Sequence, residues 1–142
     1  MRNYPAPGRR GNEAEDAAVT DLDYSLPKEH HLRRPADFRK VFDRKRSVSD
    51  TWLIVYACEN GLPHNRLGLS VSRKHGPAVY RNRLRRLYRE AFRLTRHELP
   101  AGYDLILIPR TSAGPQLATL KGSLAQLVRT LAKRLEREAT RP

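Results

Sequence analysis

The chain has 142 residues and a mass of 16.3 kDa, enough for one folded domain with a modest core and hardly for a catalytic domain beside a separate recognition domain. Lys and Arg number 28 against 15 Asp and Glu, a formal charge of +13 that packing does not require and a polyanion would use, so nucleic acid is the leading partner class. The longest apolar run, Trp52 to Cys58, falls far short of the roughly 20 residues of a bilayer-spanning helix, and no secretory leader pattern opens the chain, so a cytoplasmic location is expected.

Residues 1–24 carry three Arg, five carboxylates and two Pro with little apolar periodicity, which predicts a disordered tail. One folded domain is expected over 25–138, with 139–142 as a C-terminal tail. Its first element is a short helix from about Pro35 to Asp43, with Pro at a tolerated first position and Phe38, Val41 and Phe42 on one face. A strand follows at Trp52 to Cys58, placing Trp52, Ile54, Tyr56 and Cys58 on one side and Leu53, Val55 and Ala57 on the other. Cys58 is the single cysteine, so it makes neither an intramolecular disulfide nor a thiolate zinc cluster, and a buried structural thiol is expected. After a turn at Glu59 to Pro63, a second strand from Arg66 to Ser72 alternates Leu67, Leu69 and Val71 with Gly68, Ser70 and Ser72. That leaves one lean face that a backbone or ligand could approach.

A long helix is predicted from about Pro77 to His97, with Tyr80, Leu84, Leu87, Ala91 and Leu94 as its buried stripe. Tyr103 to Ile108 reads as a central strand. Pro115 to Glu138 reads as a helix whose Leu117, Leu120, Leu124, Leu127, Leu131 and Leu135 cover the sheet rather than form a partner zipper. The order helix, strand, strand, helix, strand, helix gives an α+β fold with one small mixed sheet.

The segment from Arg73 to Arg96 holds nine Lys or Arg and one acid, Glu90. At about 100° per residue, Arg81, Arg85, Arg89 and Arg96 share one quadrant, flanked by Arg86 and Arg93 and opposite the apolar stripe. Arginine suits RNA because its planar fork holds two phosphate oxygens and its flat face stacks on unpaired bases. Like charges at i, i+4 repel, a cost that an external polyanion removes. Contact with roughly six to ten phosphates would weaken binding about a thousandfold to a hundred-thousandfold between 50 and 200 mM salt. The preceding turn, Ser72 to Pro77, adds Arg73 and Lys74 and reads as either a phosphate turn or a purely structural one.

The run Arg66-Leu67-Gly68-Leu69-Ser70-Val71-Ser72-Arg73-Lys74, followed by Tyr80-Arg81-Asn82-Arg83-Leu84-Arg85-Arg86-Leu87-Tyr88-Arg89-Glu90, resembles the protein component of bacterial ribonuclease P. Support extends to Asp37-Phe38-Arg39-Lys40-Val41-Phe42 upstream and to Gly102-Tyr103-Asp104 and Arg110 downstream, over about residues 26–132. The resemblance implies a left-handed strand-helix-strand crossover around the Arg-rich helix, opposite to the general handedness rule. It also implies a protein subunit working with a catalytic RNA that removes the 5′ leader of precursor tRNA. One protein chain per RNA, Mg²⁺ held mainly by the RNA and no organic cofactor belong to that expectation. By position, Arg73, Lys74, Arg81, Asn82, Arg83, Arg85, Arg86 and Arg89 would face the catalytic RNA. Phe38, Phe42, Ile54, Tyr56 and Ser70 would line a cleft for the single-stranded leader, where aromatic faces stack on bases with little sequence preference. From the residues alone, plain helix-to-sheet packing is the favoured reading of Phe38 and Phe42. His30 and His31 stand where the family tends to carry a basic residue.

No metal-ligand or acid-base motif joins His30, His31, His64, His75 and His97, and Asp37, Asp43, Asp50, Glu90 and Asp104 are scattered, so neither a catalytic side chain nor a protein metal site is expected. An autonomous nuclease and a general ribosomal or RNA-chaperone protein are the rival classes. Neither accounts for the Arg81 to Arg93 pattern after this strand.

Overall fold

The structure, a computed structural model, describes residues 25–110 and 115–140; the tail expected over 1–24 lies outside them. Pro35 opens the first helix as its fixed φ favours: α1 spans Pro35–Arg44, and its C-cap Lys45 enters the left-handed region at φ 57° before the chain joins the sheet. Four strands follow, β1 (Ser47–Ser49), β2 (Leu53–Glu59), β3 (Arg66–Leu69) and β4 (Tyr103–Pro109), in the spatial order β1-β2-β4-β3. β2 runs antiparallel to β1 and β4, whereas β3 runs parallel to β4. That parallel pair requires a crossover, supplied by α2 (Ala78–Thr95), and α3 (Leu117–Ala139) follows β4. The mixed α+β sheet expected from the sequence is therefore present.

The alternation in β2 divides the interior in two. Leu53, Val55 and Ala57 join Leu67, Leu105 and Leu107 beneath α2 and α3, against Leu84, Tyr88, Phe92, Leu120, Leu124 and Leu131. On the other side α1 covers a smaller cluster of Leu32, Val41, Cys58 and Ile106, with Phe38, Phe42, Tyr56 and Ile108 partly buried around it. The leucine stripe of α3 is core, as expected, and Cys58 is a buried free thiol whose pKa burial pushes up. Trp52 departs from its expected face: it precedes β2 and packs against the larger cluster.

Three local expectations are corrected. β1 is absent from the sequence reading because three residues with a single apolar side chain, Val48, carry no alternation; its pairing with β2 alone defines it. The second strand ends at Leu69 rather than Ser72, although the Ser70 N–H still donates to Leu107 O at 3.0 Å. The buried stripe of α2 is Leu84, Tyr88, Ala91, Phe92 and Thr95, rotated by roughly 60° from the predicted one at 100° per residue. Tyr88 and Phe92 win the interior because they bury larger surfaces, and the Tyr88 hydroxyl donates to Trp52 O at 2.9 Å, so its polar end costs little inside. Leu87 is only partly buried, and Tyr80 is exposed.

Asp104, 1% exposed, accepts from Arg66 Nε at 2.8 Å and Nη2 at 2.7 Å and from Asn60 Nδ2 at 3.0 Å. This buried, forked ion pair fixes the start of β4 against β3. Asp104 is thus a structural carboxylate rather than a surface acid.

Candidate nucleic-acid interface

The turn between β3 and α2 is set by a histidine. Residues Arg73–His75 form one 3-10 turn, and His75, 5% exposed, accepts the Ser72 N–H at Nδ1 (3.0 Å) and donates from Nε2 to Pro109 O (2.7 Å). A carbonyl only accepts, so the proton resides on Nε2. This one side chain ties the turn to the end of β4 and leaves Arg73 and Lys74 exposed. Sequence reasoning left this turn open between two roles. The structure gives it a firm internal support, and nothing about His75 except its place in a turn signalled that.

Gly76 follows at φ 122°, a conformation that favours glycine, and α2 then begins after Pro77 without a side-chain cap or an acidic residue in its first turn. Its leading N–H groups and partial positive charge face outward with no built-in anion. Arg81 donates from Nε to Gly76 O at 3.1 Å. Arg85 donates from Nη1 to Asn82 Oδ1 at 2.9 Å and reaches Val71 O at 3.4 Å. These bonds to neutral acceptors orient the guanidinium groups and leave their charge uncompensated. Arg81 and Arg85 consequently border the buried face of α2 rather than oppose it, the consequence of the rotated stripe.

Among the described residues, Arg73, Lys74, Arg81, Arg83, Arg85 and Arg89 make no ion pair with a carboxylate. The acid on α2, Glu90, instead holds Arg93 at 2.6 Å. Arg96 also leaves the basic quadrant: it lies in the 3-10 turn after α2 and donates to Ser25 O at 2.9 Å, with His30 Nδ1 3.4 Å away. It anchors the entering chain. His30 in turn stacks on His64 with ring centroids 4.1 Å apart, and burial followed by the neighbouring His64 and Arg96 pushes its pKa down.

The other group of predicted residues gathers on the α1 side of the sheet. Phe42 meets Tyr56 edge to face at 4.9 Å, and Ile54, partly buried, stands opposite Ile108 across the antiparallel β2–β4 pair. Phe38 fills the lean face of β3: a Cβ added at Gly68 would lie 2.8 Å from Phe38 Cζ, so the missing side chain of Gly68 is occupied by an aromatic ring. Ser70, half-buried, continues that strand edge. Phe38 and Phe42 of α1 and Ile54, Tyr56 and the unpredicted Ile108 of the sheet therefore form a partly buried apolar strip. The near-continuous apolar run of Tyr103 to Ile108 was the available signal for Ile108.

Near the N-terminal end of α1 a cavity of about 580 Å³ is lined by Lys28, His31, Arg33, Arg34 and Arg66, but Glu29 and Asp37 share it. No group of three or more His, Cys, Asp or Glu placed to hold a metal ion occurs among the described residues, and no described helix is long and apolar enough to cross a membrane.

A family model described as Ribonuclease P matches residues 26–136. The ribonuclease P protein component of Clostridioides difficile (strain 630) is 39% identical over 106 residues, covering 74% of this chain and 90% of that relative. Its counterpart in Clostridium botulinum (strain Langeland / NCTC 10281 / Type F) is 45% identical over 87 residues, 61% of this chain and 78% of the relative. Among solved structures, the RNase P protein from Thermotoga maritima matches with a TM-score of 0.65 at 33% identity, covering 70% of this chain and 96% of that one.

Proposed function

Because the chain belongs to the ribonuclease P protein family, the protein subunits of the ribonucleoprotein that matures tRNA 5′ ends, we propose a division of its surface into two RNA sites. Arg73, Lys74, Arg81, Asn82, Arg83, Arg85, Arg86 and Arg89 bind the catalytic RNA. Phe38, Phe42, Ile54, Tyr56 and Ser70 bind the single-stranded 5′ leader of precursor tRNA.

The observation that carries the first assignment is the set of six cations on and before α2 that have no carboxylate partner among the described residues. Phosphates supply the missing counter-charge, and an uncapped helix start adds N–H donors at the same end. The leader assignment draws on half-buried aromatic and aliphatic side chains beside α1, which accept bases of any sequence by stacking. Hydrolysis belongs to the RNA with Mg²⁺ held mainly there, and the protein contributes binding and positioning. One chain per RNA, in the cytoplasm, completes the proposal.

The test is reconstitution: the purified chain is combined with a bacterial ribonuclease P RNA and a leader-bearing precursor tRNA at low Mg²⁺. Stimulated 5′ maturation that requires the RNA supports the proposal. Cleavage by the chain alone, or no stimulation, contradicts it.

A further inference from the structure

Three large apolar side chains stand exposed among the described residues, and two of them, Val79 at 63% and Tyr80 at 48%, occupy the first turn of α2. Their surroundings are cationic: Arg73 and Lys74 precede them, and Arg81, Arg83 and Arg85 follow. The Arg83 guanidinium lies 5.6 Å from the centre of the Tyr80 ring, within cation–π range, and Gly76 passes close to the Tyr80 Cβ and ring. The ring is therefore steadied by Arg83 of its own helix and lies beside the turn before it, while about half of the residue remains in water.

We propose that Tyr80 is a stacking platform for an unpaired nucleobase of the RNA that docks on α2. The proposal rests on the assignment of this helix face to RNA. It adds a contact that charge alone does not provide. A cation beside an aromatic face suits a base next to its own phosphate: the ring takes the base plane while Arg83 and Arg81 take the negative oxygens. Bases inside an A-form duplex offer no free face, so the partner is a loop, bulge or single-stranded nucleotide. A protein partner is disfavoured by the same surroundings, since an apolar patch ringed by uncompensated arginines repels a second copy of this basic chain.

The experiment measures affinity for a bacterial ribonuclease P RNA over a series of salt concentrations for the wild-type chain, Tyr80→Ala, Tyr80→Phe and Tyr80→Trp, with thermal midpoints as the folding check. Loss of one stack corresponds to about a fivefold to hundredfold weaker complex for Tyr80→Ala. Tyr80→Phe and Tyr80→Trp should bind like wild type. The slope of log affinity against log salt should be the same in all four, because no charge is removed. Wild-type binding with undiminished affinity in Tyr80→Ala overturns the platform and leaves the helix assignment standing. Equal losses in Tyr80→Ala and Tyr80→Phe overturn it too, since they assign the effect to the hydroxyl. Concentration-dependent self-association that Tyr80→Ala abolishes without change in RNA affinity makes the patch a protein contact and overturns the proposal. Failure of the wild-type chain to bind the RNA at all removes the underlying assignment, a result distinct from any of these.

Discussion

The protein contains two populations of arginine, and they differ in their partners rather than in their number. Arg44, Arg46, Arg66 and Arg93 are held by Glu59, Glu138, Asp104 and Glu90 at distances of 2.6–3.2 Å, joining α1, the sheet and α3 or closing a turn of α2. Arg73, Arg81, Arg83, Arg85 and Arg89 touch only carbonyl or amide oxygens, a ring, or solvent, with no carboxylate partner among the described residues. Net charge alone treats both populations alike. Pairing separates the arginines whose charge is met by a carboxylate within the fold from those five of α2 and its preceding turn, whose charge is not met among the described residues.

The sharpest way to break this comparison is to damage the first population and measure the second. Asp104→Ala strips Arg66 of its buried, forked acceptor and should cost about 3–5 kcal/mol of stability, read as a lowered thermal midpoint or denaturant midpoint. At a temperature where the variant remains folded, its salt slope for RNA should match wild type. A stable Asp104→Ala protein would deny the ion pair its structural role.

The second population answers in the opposite sense. Arg81→Ala with Arg85→Ala removes two charge-assisted contacts of about 1.5 kcal/mol each, so RNA affinity should fall roughly a hundredfold with little change in thermal midpoint. Binding at wild-type strength would show that these guanidinium groups face solvent in the complex. A smaller effect is expected on the other side of the sheet. Phe42→Ala should weaken binding of leader-bearing precursor tRNA by about 1–3 kcal/mol and leave leaderless substrate unaffected; equal losses on both substrates would return Phe42 to plain packing against Tyr56.

The smallest effect is on pH dependence. Burial pushes His30 and His31 below the usual 6.5, so as pH falls past that value the unfolded chain takes up protons first and stability declines. Arg44 and Arg46 hold Glu59 and Glu138 below the ordinary carboxylate range, so their contribution is complete at neutral pH and is lost only in more acid solution as the lowered values are crossed. Thermal midpoints should decline as pH falls below about 7. His30→Gln with His31→Gln should flatten the first part of the decline; an unchanged curve would assign it to other groups.

Much of this was legible beforehand for physical reasons. Long amphipathic periodicity announced α2 and α3, and the near-continuous apolar run of β4 announced a strand covered on both faces. The lean alternation of β3 foretold a close approach at Gly68, though only the fold identifies the visitor as Phe38. Illegible features depended on distant partners. α2 offers two overlapping apolar stripes, and the choice of Tyr88 and Phe92 over Tyr80 and Leu94 is made by the sheet and by Trp52 O. β1 exists only through β2. His75 looks like a turn residue and Asp104 like an isolated acid in a strand until Pro109 and Arg66 are placed beside them. Of the candidate site, the list of arginines came from sequence, but their want of carboxylate partners required the positions of Glu59, Glu138 and Asp104.

The most direct test of the proposal that the uncompensated cations of α2 and its preceding turn meet RNA is a matched-charge comparison of salt dependence. Arg81→Ala with Arg85→Ala and Arg44→Ala with Arg46→Ala each remove two formal charges from the chain. The slope of log affinity for ribonuclease P RNA against log salt should shrink by up to about 2 in the first pair and stay at the wild-type value in the second. Equal reductions in both would mean that overall charge, not the uncompensated face of α2, holds the RNA.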